Sequence, residues 1–301
     1  MKYKGGSIIK NLRSNMGISQ EELAKRLHIS QRELSRVESG KKELDWLEFI
    51  LAFGALGHFS DNFWIMYLDY EEFTDYLQYQ SIRKHFANNR LAEARDEFSK
   101  FRESQLAKHD FMRQFTMACG FILGAMDDDR RMQGLYDALN ISIFGFDVTK
   151  IESYGFNYNE IIIVNELALV HSRLGNAEIA IDMLQGIAVG LESKRLRISH
   201  QEKEMIFPAP LVNLFRLLVQ TNRYDEAVNI CRIALDIGRE LYIFHFHPET
   251  TFALAISLMH TGKPQDEYLP LLVRAYHGAC GIGQTELAAK IKEAYYEVIG
   301  Q

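Results

Sequence analysis

The sequence predicts an all-α protein that consists of a small N-terminal domain and a long run of helix pairs. Helical periodicity of the apolar residues continues to the C-terminus, while the alternation typical of strands is nearly absent. The 301 residues include only five Pro and no low-complexity tract, and 47% are apolar, which is enough for more than one core. We place the two domains at residues 1–66 and 67–301.

Two short helices with a fixed bend between them are predicted within residues 19–40. Ser19 and Ser30 are hydroxyl N-caps for the first and the second helix. Ala24 is small at the position where the two helices would cross, so they can meet at a steep angle. The second helix directs its apolar residues inward, which leaves an outward face made of Gln31, Arg32, Ser35 and Arg36.

This stretch resembles the Cro/C1-type helix-turn-helix, whose pattern Q-E-x-L-A-x-x-L-x-I-S-x-x-x-L-S-x-V-E-x-G it contains. His28 departs from the family, which usually has Gly in this turn. The resemblance implies that the second helix enters the major groove of double-stranded DNA, where Arg can bind guanine and Gln can bind adenine. Candidates for phosphate contacts, which hold the register, are Arg13, Gln20, Ser30, Lys41 and Lys42. For Arg13 and Lys42, a solvated surface charge is the alternative.

The distribution of charge favours DNA binding at the N-terminus. Residues 1–45 contain ten Lys or Arg and six Asp or Glu, whereas the remaining chain contains 24 and 34. The net charge of −6 for the whole chain would argue against nucleic acid. The positive charge is instead concentrated at one end, where it can neutralise phosphates.

Two further helices are predicted to complete the N-terminal domain and lead out of it. They cover residues 44–56 and the aromatic-rich residues 59–70. Gly54, Gly57 and Ser60 offer a break between them.

Helix pairs recur beyond about residue 70. The clearest pair covers residues 212–238, with Tyr224, Ala227, Cys231 and Ala234 facing inward. A small residue recurs at the predicted crossing of two other pairs, at Ala94 and Ala180. Similar pairs surround further turns, which lie at residues 88–90, 127–129, 175–176 and 261–264. This design resembles a tetratricopeptide repeat, although turn-to-turn spacings of roughly 40–47 residues exceed the standard ~34. We therefore expect a right-handed superhelical array of degenerate tetratricopeptide-like pairs.

The first helix of each pair would line the concave face of such an array, a surface suited to an extended peptide. Asn and Gln can donate to and accept from a peptide backbone, and Arg can hold a carboxylate. The outward positions hold Tyr79, Gln80, Arg83, Asn165, Ser172, Arg173, Asn213, Arg216, Gln220, Phe252 and His260. Exposed polar residues are common on any helix, so only the set as a whole supports a binding site.

The combined architecture resembles the Rgg-like and PlcR-like transcription regulators, the peptide-pheromone sensors of Gram-positive bacteria grouped as RRNPP. The resemblance implies a homodimer, joined largely through the C-terminal array, that binds a short signalling peptide. It also implies a palindromic operator with half-sites one helical turn apart. Activation and repression both stay open. Two alternatives remain: a regulator whose array binds a protein partner, and an adaptor that has lost DNA binding.

The sequence contains neither an apolar run of the ~18 residues that a membrane helix needs nor a signal peptide, which predicts a cytoplasmic protein. Cys119, Cys231 and Cys280 are widely spaced among apolar neighbours, so we expect buried, reduced thiols.

Three groups of residues have side chains or glycines of the kind found in metal, catalytic or phosphate sites, but each lacks the rest of such a site. His245 and His247 do not share a helix face and have no acidic or Cys ligand nearby. Residues 127–129, three Asp, are expected to cap the following helix. Residues 278–283 lack the context of a phosphate loop and are expected to form a turn between helices. We expect no enzyme, no metal site and no cofactor.

Overall fold

The computed structural model describes residues 4–27, 29–56, 67–87, 90–109, 112–193, 195–198 and 200–300. Within these ranges there are sixteen α-helices and no β-strand, only one isolated bridge between Asn157 and Arg197. The predicted all-α class is confirmed. The chain divides into two compact units, Met1–Arg113 and Gln114–Gln301. The proposed domain boundary at residue 66 stays a prediction, because residues 57–66 lie outside the described ranges.

The described residues of the N-terminal unit contain six α-helices. They are α1 (Gly5–Asn15), α2 (Gln20–Arg26), α3 (Gln31–Glu38), α4 (Trp46–Ala55), α5 (Tyr70–Ala87) and α6 (Leu91–Phe101). Helix α1 was not predicted as an element. Its Ile8 and Ile9 are fully buried, and it packs against α3, α4 and α5. It therefore supplies part of the core on which the predicted helix pair rests.

The prediction for the end of this domain is partly wrong. Helix α4 lies within the predicted residues 44–56 and continues through Gly54, so no break occurs there. The second predicted helix does not extend to Tyr70, because α5 begins at Tyr70 with its own cap. The Asp69 carboxylate accepts from the Glu72 amide at 3.0 Å, and the Glu72 carboxylate accepts from the Asp69 amide at 2.9 Å. Gly57, Ser60, His28 and the Asn88–Asn89 turn lie outside the described residues.

The second unit contains ten helices within the described ranges, and the predicted pairs are present. They are α7 (Arg113–Leu123), α8 (Asp128–Leu139), α9 (Tyr158–Arg173), α10 (Ala177–Glu192), α11 (His200–Ile206), α12 (Pro208–Gln220), α13 (Tyr224–Glu240), α14 (His247–His260), α15 (Gln265–Gly281) and α16 (Thr285–Ile299). Turns within three pairs have a left-handed residue, Gly175, Asn222 or Gly262. None of the described helices is long and apolar enough to cross a membrane.

Small residues lie at the helix crossings, as the repeat pattern predicts. Ala94, Ala180 and Ala227 are fully buried. Cys119 and Cys231 are also buried, and burial raises the pKa of both thiols. The expectation for Cys280 is wrong, because it is exposed near the end of α15.

Tyr242 follows α13 in the left-handed region, with φ of +56°, and its side chain is 82% exposed. A residue with a Cβ is strained there and Gly is not, whereas Tyr242 gains little from burial. We expect Tyr242→Gly to be more stable than Tyr242→Ala by about 1 kcal/mol, although Ala is the better residue inside a helix. Thermal unfolding of the two variants, followed by circular dichroism, checks the order. Equal melting temperatures would contradict it.

Candidate functional site

Helices α2 and α3 are set by two hydroxyl caps and a shared core. The Ser19 side chain accepts from the Glu22 amide and the Ser30 side chain from the Glu33 amide, each at 3.1 Å. The packed side chains between the helices are at most 2% exposed and comprise Leu23, Ala24, Leu34 and Val37. Gly40 ends α3 with φ of +69°, a conformation that favours Gly. The helix-turn-helix was thus predicted correctly, apart from its turn residue His28, which is not described.

The outward face of α3 lies in a shallow recess on the protein surface. The residues of this α3 recess are Gln20, Gln31, Arg32, Ser35, Arg36, Ser39 and Lys41. All four predicted base readers are among them, together with two of the five candidates for phosphate contact. Ser39 was not predicted. It closes α3, and its hydroxyl donates to the Arg36 carbonyl at 3.1 Å.

Arg13 does not face solvent, so both interpretations given for it from the sequence need correction. Its Nε and Nη2 donate to the Glu38 carboxylate at 2.6 and 2.9 Å, and its Nη1 donates to the Ile18 carbonyl at 2.8 Å. The Arg13 side chain is 11% exposed and that of Glu38 only 2%. Gln20 also donates to Glu38, at 2.7 Å. Glu38 therefore connects α1, α2 and α3.

The cations near α3 fall into two groups. Lys42 is paired with Glu33 at 2.5 Å and lies 3.7 Å from Glu48, so it is not a free surface charge. Arg32, Arg36 and Lys41 are exposed, and their side chains form no hydrogen bond or ion pair with any residue that the structure describes. The α3 recess thus presents three unneutralised positive charges.

Lys41→Ala is expected to reduce the slope of log affinity for DNA against log salt concentration by about one, because one phosphate contact is lost. The slope is measured by anisotropy with labelled duplex DNA at several salt concentrations. Lys25→Ala is the matched control, since Lys25 is exposed, outside the α3 recess and paired with Glu21 at 2.8 Å. An unchanged slope in Lys41→Ala would exclude a phosphate contact at this residue.

In the second unit, the first helices of neighbouring pairs lie side by side, and α12 packs against both α9 and α14. The Asn213 Nδ2 donates to the Asn165 Oδ1 at 3.0 Å between α12 and α9. Each amide keeps one N–H or more and an acceptor lone pair for a further partner. We call the polar side chains along these helices the inner-helix surface: Asn165, Arg173, Asn213, Arg216, Gln220 and Glu249.

Both arginines of the inner-helix surface already hold carboxylates. Arg216 Nε donates to Glu249 at 2.6 Å, and the Arg216 side chain is still 51% exposed. Arg173 grips Asp128 with two bonds of 2.9 Å and lies 3.5 Å from Glu166. Burial raises the pKa of Glu166. A ligand carboxylate would therefore have to share or replace an existing partner at either arginine.

Three residues predicted to face outward instead pack inward. Tyr79 is 8% exposed and lies between the rings of Tyr76 and Phe101, with centroids 6.0 and 6.3 Å away. Arg83 is 2% exposed, and its guanidinium lies 5.2 Å from the Tyr79 ring centroid. Phe252 is half-buried and packs against the cluster formed by α15 and α16.

The remaining predicted positions have mixed outcomes. Gln80 is half-buried and donates to the Tyr76 hydroxyl at 2.5 Å, whereas Gln220 is exposed. Ser172 is half-buried. His260 is exposed and stacks on Tyr224, with centroids 4.3 Å apart.

The constellations considered for catalysis have structural roles. Asp127 caps α8, and its carboxylate accepts from the Arg130 amide at 2.8 Å. Helix α15 extends to Gly281, so the expected turn is confined to residues 282–284, with Gly283 at φ of +75°. In the described part of the chain, no group of three His, Cys, Asp or Glu side chains could hold a metal ion. His245 and His247 therefore lack further ligands there.

A family model described as Helix-turn-helix matches residues 9–45. These residues contain α2 and α3 and most of α1. A search of curated proteins finds no match.

Solved structures match over nearly the whole chain. PlcR of Bacillus thuringiensis, in complex with the peptide PapR7 and DNA, is 19% identical with a TM-score of 0.66, covering 97% of this chain and 99% of that one. ComR of S. thermophilus, in complex with DNA and its signalling peptide ComS, is 14% identical with a TM-score of 0.54 and coverages of 98% and 99%. The pheromone receptor Rgg2 of Streptococcus dysgalactiae is 14% identical with a TM-score of 0.56 and coverages of 97% and 98%. From its helix-turn-helix to its last helix pair, this chain therefore has the fold of PlcR, ComR and Rgg2.

Proposed function

We propose that this protein is a sequence-specific DNA-binding transcription regulator whose helical-repeat unit binds a short signalling peptide. The observation that carries the proposal is the likeness in fold, over 97% of the chain, to PlcR in complex with a peptide and DNA. The two surfaces described above add to it, since each has free polar groups where one of the two ligands would bind.

Four residues of α3 are proposed to contact bases: Gln31, Arg32, Ser35 and Arg36. Gln20, Ser30, Lys41 and Lys42 are proposed to contact phosphates. The Ser30 hydroxyl accepts from the Glu33 amide and can still donate its own proton. Arg13 is no longer proposed, because Glu38 and the Ile18 carbonyl occupy its guanidinium.

The inner-helix surface is proposed as the peptide site. The joined amides of Asn165 and Asn213 are supported as backbone contacts because each has hydrogen-bonding capacity left. Arg216, Arg173 and Gln220 are proposed to bind side chains or a terminal carboxylate of the peptide. Tyr79 and Arg83 are not proposed, because both are buried.

A homodimer is proposed in addition, joined largely through the second unit and bound to a palindromic operator. One recognition helix per half-site matches the symmetry of such DNA. Since the operator lies inside the cell, we also propose a cytoplasmic location. A peptide shifts DNA binding only if it prefers one arrangement of the dimer.

The test is binding of purified protein to its own upstream DNA by fluorescence anisotropy, with and without synthetic peptides. The peptides are taken from any small open reading frame next to the gene. A peptide-dependent change in affinity or complex size is expected. Tight DNA binding that no peptide changes would favour a protein partner for the second unit. Absence of sequence-specific DNA binding would refute the proposal that the protein is a transcription regulator.

Asn213→Ala is expected to weaken binding of an active peptide by roughly 3- to 10-fold, because one hydrogen-bonding side chain is lost. Isothermal titration with that peptide measures the change. Gln133→Ala is the control, since Gln133 is an exposed amide on α8 that bonds only its neighbour Asp137 at 3.0 Å among the described residues. Equal affinity of both variants would place the peptide elsewhere.

A further inference from the structure

The free arginines of α3 occupy the centre of its outward face. A helix turns about 100° per residue, and the buried residues Leu34, Val37 and Glu38 define the inward direction. Arg32 and Arg36 both lie within about 30° of the opposite direction on this geometry. Gln31 and Glu33 lie on the two flanks. The two arginines thus point away from the buried side of α3.

The surroundings of these arginines leave their guanidinium groups available. Glu33 is the nearest acidic residue on α3, and Lys42 holds its carboxylate. The hydrogen bond from Lys42 lowers the pKa of Glu33, and the charge of Arg36 adds to this shift, yet Arg36 forms no ion pair with Glu33 in the described structure. Ser35, which lies between the arginines in the sequence, has a short side chain. Arg13, in contrast, is fully engaged by Glu38.

The spacing of Arg32 and Arg36 along α3 limits which base pairs the two side chains can contact together. Four residues rise about 6 Å along an α-helix, and successive base pairs in a duplex lie about 3.4 Å apart. Two guanidinium groups at this spacing reach base pairs that are one or two steps apart. In the major groove, the bidentate partner of an arginine is guanine, through O6 and N7.

We infer that each half-site of the operator carries two guanines, one or two base-pair steps apart, and that Arg32 binds one and Arg36 the other. This inference rests on the proposed function, since it describes the DNA that the α3 recess selects. Arg32 and Arg36 determine sequence specificity. Lys41, which follows α3 and has no acidic partner among the described residues, contributes positive charge that does not depend on sequence.

The experiment is selection of bound duplexes from a random pool by the full-length protein, followed by sequencing. Four variants are compared with the parent: Arg32→Ala, Arg36→Ala, Arg32→Lys and the control Lys25→Ala. The parent and Lys25→Ala are expected to enrich half-sites with two guanines. Arg32→Ala should lose the preference at one guanine and Arg36→Ala at the other, with roughly 5- to 150-fold weaker binding of the parental site. Circular dichroism checks that the variants fold, which the exposure of both side chains favours.

Arg32→Lys separates base reading from charge. It keeps the positive charge but lacks the planar fork, so guanine preference should fall while the salt dependence stays unchanged. Replacing each selected guanine by 7-deazaguanine should weaken the parent and leave the matching Ala variant unaffected. Half-sites that are enriched but lack two guanines at this spacing would overturn the inference and leave the proposed function standing. Arg32→Ala and Arg36→Ala variants that select the same sequence as the parent would do the same. Enrichment of no sequence would overturn it together with the proposed function.

Discussion

Glu38→Ala is expected to lower the free energy of unfolding of the N-terminal unit by about 3–5 kcal/mol, because it leaves the charge of Arg13 without its partner. Both side chains are nearly inaccessible, and three donors from Arg13 and Gln20 converge on the carboxylate. The Arg13 guanidinium would keep only its bond to the Ile18 carbonyl. DNA binding should weaken in parallel, since Glu38 connects the three helices that present the α3 recess.

Hydrogen exchange by mass spectrometry measures this effect within one unit, which a single melting temperature of a two-unit chain does not. Faster exchange is expected in α1–α3, and α12–α13 serve as the internal reference. Glu21→Ala is the matched control, because the Glu21–Lys25 pair is exposed and its loss should change nothing measurable. The double variant Arg13→Met, Glu38→Leu should recover much of the loss. Unchanged exchange in Glu38→Ala would show that the pair is dispensable.

Local features of the sequence predicted much of the fold. Ser19 and Ser30 cap helices because a hydroxyl can satisfy an amide three residues away, an interaction that needs no tertiary information. Gly40 and Gly175 occupy left-handed positions for an equally local reason. The small Ala at each crossing follows from the period of the helices. Such signals located α2, α3 and the helix pairs within a few residues.

Partners that are distant in the sequence were not predictable in this way. Arg13 resembled a surface charge because nothing in its neighbourhood indicates Glu38, which is 25 residues away. Arg216 and Glu249 are separated by 33 residues and meet only because α12 and α14 are neighbours. Charge composition detects the excess of cations at the N-terminus but does not show which cations are neutralised. The structure was needed to separate free arginines from paired ones.

The outward positions predicted on α5 are wrong for a related reason. A helical period gives every helix one outward face, but α5 packs against α1 as well as α6 and so has two buried sides. A row of aromatic rings follows from α4 through α5 to α6, with centroids 5.3–6.3 Å apart: Phe49, Phe53, Phe73, Tyr76, Tyr79 and Phe101. Tyr79 is a member of this row rather than a surface residue.

Gly6→Ala is expected to destabilise the N-terminal unit by about 3 kcal/mol and to weaken DNA binding at least 10-fold. A Cβ at Gly6 would overlap the carbonyl oxygen of Val37, far inside van der Waals contact. The obstacle is backbone, which cannot rotate away as a flexible side chain would, so α1 and α3 must separate. Since Val37 belongs to α3, the recognition helix would move with respect to its support.

Gly120→Ala provides the matched comparison, since Gly120 lies inside α7 and a Cβ there meets nothing within 4 Å. Ala favours a helix over Gly by about 1 kcal/mol, so this change should be neutral or stabilising. Hydrogen exchange of α1–α3 and anisotropy with the selected operator measure the two consequences of Gly6→Ala separately. Faster exchange with unchanged DNA affinity would mean that α3 still binds DNA in its normal position although α1 is less stably packed. In that case the contact with α1 is not required for recognition. If neither changes, the close approach of α1 and α3 is not rigid.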